Sequence, residues 1–268
     1  MSQNALCIVL ASRFPLQREK AAALAEKMGL PLQESHENRC KYHLVYTDIR
    51  LELQHNPGCT TQKEKPVYID LFPNGSIHQR LLTTSIKDPL CRAVGIKSGK
   101  RPSIIDTTAG MGMDGITLAW LGCSVVLIER DPVVHALLHD GIQRAAEDWR
   151  FKKTIGNNLR LMEGNSTEIL PHLSRADTVF VDPMYPETVK GALNKKEMRM
   201  LREIVGGDID SRELFLTALQ SADNRVVVKR PKNAEPICPA PKPSHRILMK
   251  SGRFDVYLLP PKIICDNP

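Results

Sequence analysis

The chain has 268 residues, 42% of them hydrophobic, enough to bury one good-sized core with a small lobe beside it. Its first clearly apolar stretch, Ala5 to Leu10, is far shorter than the roughly 20 residues of a membrane span and is followed by no cleavage-site pattern, so a soluble, cytoplasmic protein is expected. A formal charge of +7 and a pI of about 9.0 favour an anionic partner, nucleic acid first, because clustered Lys and Arg concentrate a polyanion and release its counterions.

In chain order, residues 1 to 100 lack one dominant period. They read as a short strand at Ala5 to Leu10, a helix at about Leu16 to Met28, and a small sheet from Tyr42 to Tyr46, Ile49 to Leu53 and Val67 to Leu71. Asn56-Pro57-Gly58 and Pro73-Asn74-Gly75 are turn chemistry. From Ser103 the rhythm changes to strand, glycine-rich turn, helix, strand, helix, which predicts βαβ units on a parallel sheet. Strands are expected at Ile104 to Asp106, Ser124 to Glu129, Leu159 to Glu163, Thr178 to Asp182 and Arg225 to Lys229. Helices are expected at about Asp114 to Leu121, Pro132 to Arg150, Asn194 to Val205 and Ser211 to Ala222. Asp131 before Pro132 is a carboxylate N-cap followed by proline at the first helical position. Pro231 to Pro243 is too proline-rich for anything but loop, and Arg253 to Leu259 adds an antiparallel edge strand. The seven cysteines are scattered without a CxxC pair, which argues against a disulfide framework and a thiolate zinc site.

Chemistry concentrates at the strand ends. Asp106-Thr107-Thr108-Ala109-Gly110-Met111-Gly112-Met113-Asp114-Gly115 lies where a strand gives way to a helix, and Gly110 and Gly112 would let backbone approach a cofactor. Glu129 ends the next strand, where a carboxylate accepts from both ribose hydroxyls of a nucleoside. Nicotinamide dinucleotides share that logic. Two features favour S-adenosylmethionine: Asp106 could meet the cofactor's amino group, and Thr108 stands where a pyrophosphate turn needs glycine.

Asp182-Pro183-Met184-Tyr185-Pro186 follows the apolar run Thr178 to Val181 and projects into the same crevice. It resembles the (D/N)PP(Y/F) motif of methyltransferases acting on exocyclic amino groups. An amine conjugated to a base ring is a poor nucleophile, so acceptors must orient its hydrogens: Asp182 and the Pro183 carbonyl suit that role, and Tyr185 could stack on the base. Asn165 and Ser166 follow another strand, placed to meet an adenine edge or to cap the next helix. Lys195, Lys196 and Arg199, with Lys229 and Arg230 at a further strand end, are candidate phosphate contacts. His135 and His139 lack the Glu of an HExxH arrangement and read as a helix face, with no metal.

Several strings in order carry a wider resemblance: AVGIK (Ala93 to Lys97), the glycine turn with GMD, LIERDPVVHALLHDG (Leu127 to Gly141), VDPMYP, KKEMR, VVVKRP (Val226 to Pro231) and RFDVY (Arg253 to Tyr257). The C-terminal two-thirds resembles the bacterial 16S rRNA guanine-N2 methyltransferase family, ribosomal RNA small subunit methyltransferase J. The resemblance implies a Rossmann-like class I methyltransferase fold, a mostly parallel sheet with helices on both faces, over residues 93–268; the first third, read from its own short strands and turns, is expected to be a small α+β lobe over 1–92. It also implies S-adenosylmethionine as donor, a guanine of 16S rRNA or the small subunit as acceptor and partner, and cofactor contacts at Met113, Asp114, Glu129, Arg130, Asn165, Ser166 and Asp182; no stable protein partner is expected. Two departures stand out. The family's Arg-Asp pair after the glycine turn is Met113-Asp114 here, so only backbone contact survives at the first position. A basic glycine-rich stretch of the N-terminal lobe appears as Ser76-Ile77-His78-Gln79-Arg80, with less charge. An adenine-N6 or other amine methyltransferase, a non-catalytic RNA-binding assembly factor and a nicotinamide enzyme are the alternatives.

Overall fold

The computed structural model describes residues 6–10, 15–33, 40–56, 65–72, 76–183, 196–205 and 210–260. The N-terminal third begins with β1 (Leu6–Leu10), α1 (Pro15–Met28), β2 (Leu32–Gln33), β3 (Tyr42–Tyr46) and β4 (Leu51–His55). The strands form a sheet in the order β2-β1-β3-β4, parallel across β1 and antiparallel between β3 and β4. β4 starts later than the sequence suggests because the Thr47 hydroxyl accepts from the N–H groups of Ile49 and Arg50 and holds them in a turn. Val67 to Leu71 is not a strand. Val67, Ile69 and Leu71 are buried in alternation, which produces the period of two, but only Val67 pairs, with Leu53. The short helices α2 (Ser76–Thr83) and α3 (Pro89–Val94) follow, neither foreseen from the sequence.

The second sheet is built from β5 (Ile104–Asp106), α4 (Met113–Trp120), β6 (Val125–Glu129), α5 (Pro132–Ala145), α6 (Trp149–Ile155), β7 (Leu159–Glu163), α7 (Ser166–Ile169), β8 (Ala176–Val181), α8 (Lys196–Val205), α9 (Ser211–Ser221), β9 (Ala222–Pro231), β10 (His245–Leu248) and β11 (Gly252–Leu258). Its order is β10-β11-β9-β8-β5-β6-β7, with β11 antiparallel to both neighbours and the other pairs parallel. Side chains alternate between two faces. Ile104, Leu127, Phe180 and Val227 enter a core shared with α4, α5 and the first sheet, while Ile105, Ile128, Val179 and Val226 face α9. This is the doubly wound α/β fold that the sequence rhythm predicts.

Two readings need correction. The helix expected from Pro132 to Arg150 is two helices, because the Asp148 side chain accepts from the Arg150 N–H at 2.8 Å and starts a new one. The last strand is not an edge: β10, emerging from the proline-rich loop, covers its outer side.

Helix α5 holds the first sheet against the second. Arg144 donates to Asp140 (2.8 Å), to Asp70 (2.5 Å) and to the Ile69 carbonyl (2.5 Å). Asp140 also accepts from the Leu51 N–H at 3.2 Å, and Arg50 reaches Asp70 at 2.9 Å. Gly141 permits the approach, since a Cβ there would lie 2.7 Å from the Ile69 carbonyl. Arg144→Ala removes the donor that two carboxylates and a carbonyl share, so the unfolding free energy is expected to fall by about 1–3 kcal/mol. Urea denaturation checks this, with a lower midpoint at unchanged slope as the expected result.

Candidate active site

The strand order reverses around β5, and a cleft of about 370 Å³ opens there at the carboxyl ends of the strands. That size falls in the roughly 300–1,000 Å³ range of small-molecule sites. Asp106, Gly110, Met113, Asp114, Glu129, Arg130, Asn165, Ser166, Asp182 and Lys229, all nominated by the sequence, line it. Gly112 lies behind the wall with φ 76°, where a Cβ would sit 2.6 Å from Leu138 and 2.7 Å from Ile116. Pro183 is buried next to Asp182. Arg230 donates to the Glu235 carbonyl. Tyr185, Lys195 and the side chains of Lys196 and Arg199 lie outside the described residues.

The loop after β5 is sewn to its neighbours. Thr107 donates its N–H and hydroxyl to the Phe180 carbonyl at 3.0 and 2.9 Å, and the Thr108 hydroxyl accepts from the Asp182 N–H at 2.7 Å. The end of β8 is therefore fixed by two adjacent threonines. On the other side, Ala109 N–H bonds the Ile128 carbonyl at 3.0 Å, and Gly110 N–H donates to Glu129 at 2.7 Å. The second Glu129 oxygen accepts from the Asp131 N–H at 2.9 Å, which holds the carboxylate at the mouth of the turn. Ser166 donates its hydroxyl to the Thr107 carbonyl at 2.6 Å, and Asn165 caps α7 through the Thr167 N–H. Gly115, at the first turn of α4, lets that helix close on Asp106 and Leu127: a Cβ would lie 3.0 Å from an Asp106 oxygen and overlap Leu127.

Charge is balanced across the cleft. Lys229 Nζ donates to Asp182 at 2.7 Å and to Asp114 at 2.9 Å, while Arg80 from α2 takes the other Asp114 oxygen at 2.6 Å. Arg130 pairs with Asp210 at 2.9 Å. Burial opposes ionisation of Asp114, but Lys229 and Arg80 outweigh it and hold the carboxyl below its usual range. Burial likewise penalises the Lys229 ammonium, yet Asp182 and Asp114 raise it above the ordinary lysine range. Asp106 differs. Buried, accepting among the described residues only the Thr108 N–H at 3.2 Å and facing Asp114 and Asp182, its carboxyl is pushed up to about 8.

Sequence reasoning missed Arg80, Thr107 and Asp210. Arg80 sits in the stretch noted for its reduced charge, but nothing local ties it to the glycine turn. Thr108 drew notice only as a missing glycine, whereas it is an acceptor for β8. Away from the cleft, His135 and His139 stack on α5 at 6.1 Å, and among the described residues no group of three or more His, Cys, Asp or Glu could hold a metal ion. No helix among the described residues is long and apolar enough to cross a membrane.

A family model described as "Putative SAM-dependent methyltransferase" matches residues 23–259. A ribosomal RNA small subunit methyltransferase J from Desulfotalea psychrophila is 46% identical, covering 89% of this chain and 91% of the relative. Another, from Thioalkalivibrio sulfidiphilus, is 44% identical, with 90% and 93% covered. The chain belongs to the ribosomal RNA small subunit methyltransferase J family. The crystal structure of the SAM-dependent methyltransferase NGO1261 from Neisseria gonorrhoeae matches at 29% identity and a TM-score of 0.70, covering 94% of this chain and 95% of that one.

As a member of this family the enzyme takes its methyl group from S-adenosylmethionine. The cleft's donor set suits that molecule, which carries a sulfonium and an ammonium and no phosphate. Asp106, Asp114, Glu129 and Asp182 give the cleft an acidic lining, and Arg80, Arg130 and Lys229 are each engaged by carboxylates of the same cleft. Ala109, Met111, Met113, Phe180 and Leu214 supply apolar walls.

The raised Asp106 carboxyl has a measurable consequence in cofactor-free protein. Its folded-state value lies above the unfolded 3.8, so the stability it confers is present below about pH 4 and lost as pH rises toward about 8. Asp106→Asn removes this dependence. Urea denaturation from pH 5 to 8.5 is expected to show the variant gaining stability relative to the parent as pH rises; parallel profiles would refute the buried, protonated carboxyl.

Proposed function

We propose that the enzyme transfers the methyl group of S-adenosylmethionine to the exocyclic N2 amine of a guanine in 16S rRNA of the small ribosomal subunit. The observation that carries this reading is Asp182: its backbone is pinned to the cofactor loop by Thr108 and its carboxylate lines the cleft at the head of the DPMY string. The names of the relatives, which specify small subunit ribosomal RNA, support the acceptor class.

In this reading Asp106, Gly110, Gly112, Met113, Asp114, Glu129, Arg130, Asn165, Ser166 and Asp182 hold the methyl donor, with Glu129 suited to ribose hydroxyls and Asn165 and Ser166 to the adenine. The donor supplies an electrophilic methyl group on a positively charged sulfur. Asp182 and the Pro183 carbonyl accept the two amine hydrogens, which directs the nitrogen lone pair away from them, and Tyr185 stacks on the base. A carboxylate has about four acceptor sites, so the bond from Lys229 does not exhaust Asp182. Orientation carries most of the acceleration. Once methylated, the nitrogen is cationic and acidic, and its proton leaves to water without a strong base. Lys195, Lys196, Arg199 and Arg230 contact phosphates around the target. Residues 93–268 form the catalytic domain and residues 1–92 a lobe that completes its cleft through Arg80. The enzyme works in the cytoplasm, where its substrate is made.

The test is incubation with labelled S-adenosylmethionine and either naked 16S rRNA or small subunits from cells lacking the activity. Nucleoside digests are expected to contain N2-methylguanosine; labelled N6-methyladenosine, or no label, refutes the proposal. Asp182→Ala is expected to keep its thermal midpoint and lose at least about a hundredfold in kcat, the scale of deleting one oriented polar group at a reacting centre.

A further inference from the structure

We infer that Lys229 is a positioning residue for methyl transfer, not a contact to RNA phosphate: clamped between Asp114 and Asp182, its ammonium keeps the Asp182 carboxylate ionised and in place. This rests on the reading of Asp182 as acceptor of the amine hydrogens.

The placement follows from strand register. β8 and β9 run parallel with Val181 opposite Val228, so Asp182 and Lys229 are the next residues on adjacent strands. Val228 faces the α9 core, which leaves Lys229 on the opposite face, where the first turn of α4 presents Asp114. Lys229 bridges the two carboxylates at 2.7 and 2.9 Å, and Arg80 satisfies the remaining Asp114 oxygen. Among the described residues, the two cations and two carboxylates joined by these ion pairs balance in charge. A phosphate has nothing to gain there unless it displaces a carboxylate from Lys229.

The titratable groups around Lys229 come from five elements or their flanks. Asp182 ends β8, Asp106 ends β5, Asp114 is on α4, Arg80 is on α2, and Asp88, preceding α3, lines the outer pocket that Arg80, Asp114 and Lys229 share. Removing the Lys229 charge leaves Asp182 facing Asp114 and Asp106 with no cation bonded to it from β9. Proton uptake by Asp182 then becomes easier, and a protonated carboxyl accepts from the amine poorly.

Lys229→Gln tests this. Expected are a fall in kcat of at least about tenfold at pH 7, an acid limb of the kcat profile moved to higher pH, and KM for small subunits with its salt dependence within about twofold of the parent. In cofactor-free protein with 13C-labelled Asp carboxyls, the Asp182 resonance is expected to titrate at higher pH in the variant. Lys229→Arg keeps the charge, so its acid limb is expected at the parental position even if kcat drops. An unmoved Asp182 titration, an Arg variant displaced as far as Gln, or an unchanged kcat with raised KM and a shallower salt dependence overturns the inference. Inactivity of the parent enzyme counts against the proposed function instead, which separates the two failures.

Discussion

Two parallel strands, β5 and β8, end side by side, and the hydrogen bonds from Thr107 and Thr108 across that junction hold the cleft together. The Phe180 carbonyl and the Asp182 N–H lie where the β5–β8 ladder stops and would otherwise need another partner. Thr107 satisfies the first and Thr108 the second, so the loop that lines the cleft and the strand end bearing Asp182 are tied into one unit. Ser166 and Glu129 extend the same unit to β7 and β6. A reaction that depends on orientation more than on a strong base needs this kind of fixed frame.

Electrostatics within the frame are a matter of matching. Three aspartates converge from β5, α4 and β8, and low dielectric would make three ionised carboxylates there costly. Lys229 and Arg80 neutralise two of them, and burial raises the carboxyl of the third, Asp106, toward its protonated form. The N-terminal third is thus more than an appendage to the fold: it shares the core on one face of the large sheet and sends a guanidinium into the cleft. Met113 brings no charge to the residue before Asp114, and the guanidinium beside Asp114 arrives from α2.

Local chemistry was legible in the sequence, and pairing between distant segments was not. Asp131 caps α5 through the N–H groups of Val133 and Val134, as Asp-Pro at a helix start suggests, and the glycine turn, Glu129 and Asp182 share one cleft because each stands at the carboxyl end of a parallel strand. By contrast, Arg80 meets Asp114 across 34 residues and Lys229 meets it across 115, and no periodicity encodes such meetings. Val67 to Leu71 misled because alternating burial looks the same whether or not a segment has a partner strand. The brief β10 carries too few residues for a pattern, yet it determines that β11 is interior.

The most direct test of the fixed junction is Thr108→Val, which keeps the side-chain shape and removes the oxygen that accepts from the Asp182 N–H. Calorimetry of S-adenosylmethionine binding and single-turnover methylation of small subunits would be measured together. Cofactor affinity is expected to stay within about threefold while the single-turnover rate falls about tenfold, the ~1.4 kcal/mol scale of one lost hydrogen bond. An unchanged rate, or a loss of rate wholly matched by lost cofactor affinity, would contradict the view that the junction works by holding Asp182 in place.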